Sequence, residues 1–252
     1  MLRGLYLSAT NMLVQRKKVD VITNNIANMD TTGYKADSLI SRSFEDMLLQ
    51  RVGDPSTRRG SAQVGNLNTG VHIDEVLTSF EQGSLEQTDR PADMAITGDG
   101  FFTISTTAGE RYTRNGSFTL DRDEYLVTGD GNRVSGTNGF IKVTSPNFIV
   151  DEKGNVFNAD GTSAGKLKIA SFADMSGLRK VGNGLFINET NQAAQAADNA
   201  TVRQGYLESS NTDITSEMLD LMSASRTYET SQRMVKMIDE TLSRAVNDIG
   251  KV

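Results

Sequence analysis

Apolar positions along this chain follow one period at its two ends and another in between. Near the C-terminus Ile214, Leu221, Tyr228, Val235, Leu242 and Ile249 recur at every seventh position. Ala224, Ile238 and Ala245 widen the stripe on one side, Met218 and Val246 on the other. No glycine or proline falls between Thr215 and Asp248, while Asn211 with Asp213 offers an N-terminal cap and Gly250 a stop. The spacing predicts a helix of about 35 residues, longer than most in globular proteins. A strict seven-residue period marks a coiled-coil seam. Ser225, Gln232 and Asp239 beside the seam would weaken a self-paired dimer, so the stripe is expected to face an unlike helix.

Such a helix is predicted at the other end, where Leu5, Met12, Val19 and Ile26 recur at the same interval, flanked by Leu2, Tyr6, Ala9 and Leu13. Gly33 closes it after the turn-forming Asn28-Met29-Asp30-Thr31-Thr32. Either stripe alone could belong to an amphipathic helix on a globular core. Two heptad stripes around a middle of different period favour a paired helical seam.

The middle, residues 71–204, reads as β. Strands are expected at Met94–Ile96, Phe101–Ser105, Phe118–Leu120, Tyr125–Val127, Phe140–Val143, Asn147–Val150, Val156–Asn158 and Lys166–Phe172. Turns such as Gly129-Asp130-Gly131-Asn132, Glu152-Lys153-Gly154-Asn155 and Asn158-Ala159-Asp160-Gly161 separate them. Asp-Gly and Gly-Asn supply the positive φ of tight hairpins. The predicted fold is therefore a mainly β central domain of antiparallel strands, with long terminal helices forming a coiled-coil-like seam. Residues 1–35 with 205–252 would make a discontinuous helical domain. Residues 36–70 would be a connector, extended over Gln50–Gly70, and 71–204 the β domain. Asn191–Ala200 reads as a further loop.

Composition narrows the chemistry. Twenty-six basic against 32 acidic residues give a net charge of −6, without the basic footprint of duplex nucleic-acid binding. Arg16-Lys17-Lys18 and Arg58-Arg59 are short and lack interleaved aromatics. No cysteine and one histidine, His72, exclude disulfides, thiolate chemistry and sites built on a histidine pair. No run of 18 apolar residues could cross a bilayer as a helix, and Arg16-Lys17-Lys18 follows the N-terminal apolar stretch where a signal peptide has its charges ahead. Gly98-Asp99-Gly100 starts like a dinucleotide loop, but Thr103 replaces the third glycine and a strand follows. The acidic turns lack the ligand spacing of an EF-hand. No catalytic residue, cofactor or metal is expected. A glycan-cleaving or cell-wall-binding β domain is the competing reading, and it would need two converging carboxylates, for which Asp121, Asp123 and Glu124 are available.

One set of segments is specific in combination. Asn24-Asn25-Ile26-Ala27-Asn28-Met29-Asp30-Thr31-Thr32-Gly33-Tyr34-Lys35 resembles the N-terminal signature of the bacterial flagellar rod and hook proteins. Gly83-Ser84-Leu85-Glu86-Gln87-Thr88, Arg90-Pro91-Ala92-Asp93-Met94-Ala95-Ile96, Gly98–Phe102, Tyr112–Phe118, Gly205–Asn211 and Arg226-Thr227-Tyr228-Glu229 continue the resemblance in the family's order. Within that family the length suits a rod subunit rather than the longer hook subunit, and the intact turn and long connector resemble the distal more than the proximal kind. Asn11 departs from a position where the family often has glycine.

The resemblance implies a structural subunit of the basal-body rod that polymerises into a helical tube lined by its terminal helices. It implies copies of itself and other rod and hook subunits as partners, with surrounding ring proteins as further neighbours. It also implies export by the flagellar type III apparatus to the basal body, outside the cytoplasmic membrane. Phe44 and Leu48, four apart, resemble the short motif that engages the export gate, and could share a face of a short helical turn. The terminal stripes, poorly buried in one chain, are expected to order on assembly.

Overall fold

The computed structural model describes residues 2–52, 61–190, 194–197 and 200–249. The chain divides into two compact units, residues 1–26, 37–77 and 214–252 forming the first and 27–36 with 78–213 the second.

The first unit contains α1 (Leu2–Ala27), β1 (Asp37–Ser43), β2 (Met47–Val52), β3 (Ser61–Leu67), β4 (Val71–Thr78) and α2 (Ile214–Ile249). Both predicted helices are present, and α2 is 36 residues long. The expected stop at Gly250 lies outside the described residues. Of the expected cap, Asn211 is committed elsewhere. Its Oδ1 accepts from the Ala36 N–H at 2.7 Å and its Nδ2 donates to the Ser79 carbonyl at 3.0 Å.

The segment expected to be an extended connector is folded where it is described. β1 pairs with β4, and β2 pairs antiparallel with β3, Met47 opposite Leu67 and Leu48 opposite Asn66. Its apolar residues do not alternate, so the pattern that announces a half-buried strand was missing. Each ribbon is a two-stranded sheet held by cross-strand backbone bonds. Arg58-Arg59 lie outside the described residues.

Among its described residues the second unit is built of β-strands and connecting turns, with a 3-10 turn at Met175–Gly177. Its strands are β5 (Leu85–Gln87), β6 (Met94–Thr97), β7 (Phe101–Thr106), β8 (Gly109–Thr113), β9 (Phe118–Leu120), β10 (Leu126–Thr128), β11 (Arg133–Gly136), β12 (Gly139–Phe140), β13 (Ile149–Val150), β14 (Asn155–Phe157), β15 (Ser163–Lys166), β16 (Ile169–Ser171), β17 (Leu178–Gly182), β18 (Leu185–Asn188), β19 (Gln195–Ala196), β20 (Thr201–Gln204) and β21 (Tyr206–Glu208). The largest sheet runs β17-β18-β8-β7-β11-β10-β9, with β12, β16 and β19 attached. A three-stranded sheet β13-β14-β15 and the pairs β20-β6 and β21-β5 complete it.

Strand β7 explains why the core divides. Phe101 and Phe102 are adjacent, point to opposite faces, and are both fully buried. Phe102 joins Met94, Ile96, Phe118, Leu126 and Val134 on one side. Phe101 joins Tyr112, Phe172 and Phe186 on the other. The three predicted glycine turns form: the N–H groups of Gly131, Gly154 and Gly161 donate to the carbonyls three residues earlier, Thr128, Asp151 and Asn158. The expected strand Lys166–Phe172 is instead broken into β15 and β16. The expected Asn191–Ala200 loop contains the short β19, with 191–193 and 198–199 outside the described residues.

Candidate assembly interface

In the first unit α1 and α2 meet along one face. Asn11 Nδ2 donates to Ser231 Oγ at 2.9 Å, and Asn25 Nδ2 donates to Glu217 Oε1 at 2.9 Å. A Cβ on Gly4 would stand 3.3 Å from the Cδ1 of Ile238. From 4 to 11 to 25 along α1, the partner steps back equally from 238 to 231 to 217, so the helices are antiparallel with no drift in register. Gly4, Asn11 and Asn25 therefore mark the inner line of α1, with Val14 and Ile22 buried beside it. Leu5, Met12, Val19 and Ile26, the expected seam positions, sit one residue to the side and are half-buried. On α2, Leu221, Tyr228, Val235 and Leu242 are half-buried, while Ala224 and Ser231 are buried. Ile214 is 38% exposed. Ile249 belongs to α2, but its side chain is outside the described residues.

The inner line explains the polar residues. Asn11, where glycine was the family expectation, fills the space with a cross-helix hydrogen bond instead. Buried Asn25 also accepts from the Asp37 N–H at 3.0 Å and donates to the Asp37 carbonyl at 2.8 Å. It ties the end of α1 to the start of β1. A buried amide with fixed partners specifies register more than it adds stability.

Both helices keep apolar side chains in solvent away from this line. On α2 Met218, Leu219, Met222, Met234 and Met237 are exposed by about half, and on α1 Tyr6 and Leu13 by more than half. Met218 and Met222 are one turn apart, as are Met234 and Met237, so each pair shares a flank.

In the second unit the signature turn is anchored. Gly33 has φ +68° and its N–H donates to the Glu208 carbonyl at 2.7 Å. A Cβ there would lie 2.4 Å from the Asn115 nitrogen, so only glycine fits. Thr32 Oγ1 donates to Asn115 Oδ1 at 2.9 Å, and the Asn28 carbonyl accepts from the Thr31 N–H. Tyr34 is buried, with the Lys180 Nζ 4.2 Å from its ring centre. Asn24, in α1, is exposed.

Next to this turn lies a charge cluster that the linear pattern did not disclose. Lys35 and Glu208 are each 1% exposed, and Arg114 is 2%. Lys35 Nζ donates to Glu208 Oε1 at 2.6 Å and to the Glu81 carbonyl at 2.7 Å. Arg114 donates to Glu208 Oε2 at 3.3 Å and to the Gly98 carbonyl at 2.7 Å, its guanidinium lying over Phe101. Burial holds the Lys35 ammonium below its ordinary pKa, outweighing the attraction of Glu208. All three residues belong to quoted signature segments, but no local period marks them as partners.

The competing chemical reading finds little support. Asp123 pairs with Arg133 at 3.5 Å and Glu124 with Lys142 at 3.6 Å on an exposed turn, each carboxylate facing a cation rather than another carboxylate. A cavity of about 830 Å³ is lined by Lys153, Lys166 and Lys168, and its acid, Glu110, pairs with Lys168 at 2.7 Å. His72 stacks on Phe44, with ring centres 4.8 Å apart. Phe44 and Leu48 do not share a helical turn. Phe44 lies in the irregular link between β1 and β2, and Leu48 is an exposed residue of β2, where pairing with β3 imposes extended backbone.

Comparison with known proteins accounts for this architecture. Residues 5–35 match the family described as flagella basal body rod protein. Residues 95–162 match the flagellar hook protein FlgE/F/G D1 domain, and 203–248 the flagellar basal body rod FlgEFG protein C-terminal region. The chain is 34% identical to the flagellar basal-body rod protein FlgG of Bacillus subtilis, covering 98% of this chain and 99% of that one. It is 33% identical to the flagellar hook-basal body complex protein FlhO of the same organism over the full length of both. It is 31% identical to the flagellar basal-body rod protein FlgF of Caulobacter vibrioides, covering 99% and 98%. These relatives are structural proteins rather than enzymes, and with them the chain belongs to the flagellar basal-body rod protein family as a structural subunit of the rod.

Proposed function

We propose that this subunit builds the distal segment of the rod, its terminal helices forming a coiled-coil-like lining of a helical tube. The carrying observation is the apolar surface left on α1 and α2 after they have paired: Leu13, Met218, Leu219, Met222 and Met237 are at least half exposed. A water-soluble monomer gains nothing from such flanks, whereas a subunit surrounded by others buries them. Repeated head-to-tail contacts that do not close generate an open helical polymer. The partners are copies of this chain and other rod and hook subunits, with ring proteins outside. Resemblance to FlgG in several organisms supports the distal position, and the similarity to FlgF keeps the proximal position as the second reading. In the same proposal the subunit leaves the cytoplasm through the flagellar type III apparatus, Phe44 and Leu48 engaging its gate, and acts outside the cytoplasmic membrane. Residues 1–35 with 205–252 make the axial part and 71–204 the outer part.

Deleting the gene and imaging basal bodies by electron cryotomography tests the position. A long rod stump without a hook is expected. A stump ending near the cytoplasmic membrane would indicate the proximal position, and complete rods bearing hooks would overturn the proposal.

A further inference from the structure

Four of the ten methionines, Met218, Met222, Met234 and Met237, lie on α2 with about half their surface in solvent. Met94, by contrast, is completely buried in the β unit. The chain has no cysteine, so thioethers are its only sulfur nucleophiles. Oxidation of a methionine follows its exposure and replaces a flexible apolar tip with a polar, chiral sulfoxide. Met47 on β2 is exposed as well, but the four thioethers of α2 are the ones paired one turn apart on the apolar flanks of a helix.

We propose that these four methionines form an oxidation-sensitive modification site: a peroxide converts them to sulfoxides in the free subunit and thereby prevents its incorporation, whereas incorporated subunits are shielded. In each step the thioether sulfur attacks one peroxide oxygen. With hydrogen peroxide the S–O bond forms as the O–O bond breaks, and the departing hydroxide takes the proton of the oxygen now on sulfur and leaves as water, so that a neutral sulfoxide remains. Sulfur loses two electrons and the peroxide gains them. Sulfoxide reduction by a thiol-dependent reductase restores the apolar side chain. The inference rests on the reading that neighbouring subunits cover these flanks.

Two measurements separate the inference from that reading. In the first, hydrogen peroxide is applied to the purified full chain and to isolated basal bodies, and sulfoxide at each methionine is followed by mass spectrometry. The four positions are expected to react about tenfold faster than Met94 in the free chain, and about tenfold slower in basal bodies than in the free chain. Equal reactivity in both settings would overturn the reading that the flanks are covered, and the inference with it. In the second, the sole cellular copy carries glutamine at all four positions as a polar mimic (M218Q/M222Q/M234Q/M237Q), with leucine at all four as the apolar control. The glutamine variant should retain its helical content when purified but leave about tenfold fewer hooked rods, whereas the leucine variant should assemble normally. Normal assembly of the glutamine variant, loss of its helix, or equal failure of the leucine variant would overturn the oxidation switch while leaving the covered flanks standing.

Discussion

Buried charge gives this chain its sharpest single-residue features. Glu208 receives Lys35 and Arg114 at once, so the cluster carries one more positive than negative charge in a site closed to water. Lys35 therefore titrates below its ordinary value of 10.5, with burial as the leading cause. Between its folded and unfolded pKa values the unfolded chain binds more protons, and stability from this residue rises with pH up to about 10.5. Tyr112, raised by burial above its ordinary 10.0, works in the opposite direction near the top of that range. The difference between the native chain and Lys35→Met isolates the lysine. Denaturant titrations from neutral pH to about pH 10.5 should show the native chain gaining on the variant as pH rises, and a flat difference would contradict the assignment. Gly33 is constrained sterically instead. Gly33→Ala must place a methyl against the Asn115 backbone in a left-handed conformation, and should lower the unfolding free energy by about 3 kcal/mol or more.

At the scale of elements, the terminal helices were legible because a seven-residue period is a local signal spread over many turns. The precise contact line was less so. On α1 the inner positions in contact with α2 include Gly4, Asn11 and Asn25, residues that a search for apolar repeats passes over, and the apolar stripe falls one residue to the side. Buried Asn25 shows what those residues do. Asn25→Ala would strand the Asp37 backbone groups and the Glu217 carboxylate, and should cost about 2 kcal/mol by denaturant unfolding. A change below about 0.5 kcal/mol would mean water replaces the amide without loss. The β middle was legible from its Asp-Gly and Gly-Asn turns. The β2–β3 ribbon was not, because its sequence carries no alternation of apolar and polar positions. The Lys35–Arg114–Glu208 cluster was illegible for a related reason: the residues are far apart in sequence, and charged side chains read by default as solvated.

For the molecule as a whole, two units with separate cores imply separable properties. Phe44 belongs to the helical unit, half-buried against His72, whereas the two apolar clusters lie in the β unit. Phe44→Ala should cost only about 1 kcal/mol through loss of the ring stack, yet lower secretion by about tenfold if Phe44 engages the export gate. The ratio of secreted to cellular subunit, measured beside a thermal melt, distinguishes the two effects. Undiminished secretion of the folded variant would remove the export role. The family resemblance was legible at this scale because its segments recur in order from residue 24 to residue 229, although no one segment is decisive.

The antiparallel register of α1 and α2 also carries a meaning in time. A ribosome makes α1 first, but its partners on α2 stand at 217, 231 and 238, so the first helix exists without its mate until nearly the whole chain has been synthesised. A strongly greasy helix would spend that interval seeking wrong company. With Val14, Ile22 and Leu13, α1 carries apolar surface through that wait, and Asn11 and Asn25 then recognise the late arrival by hydrogen bonds rather than by bulk.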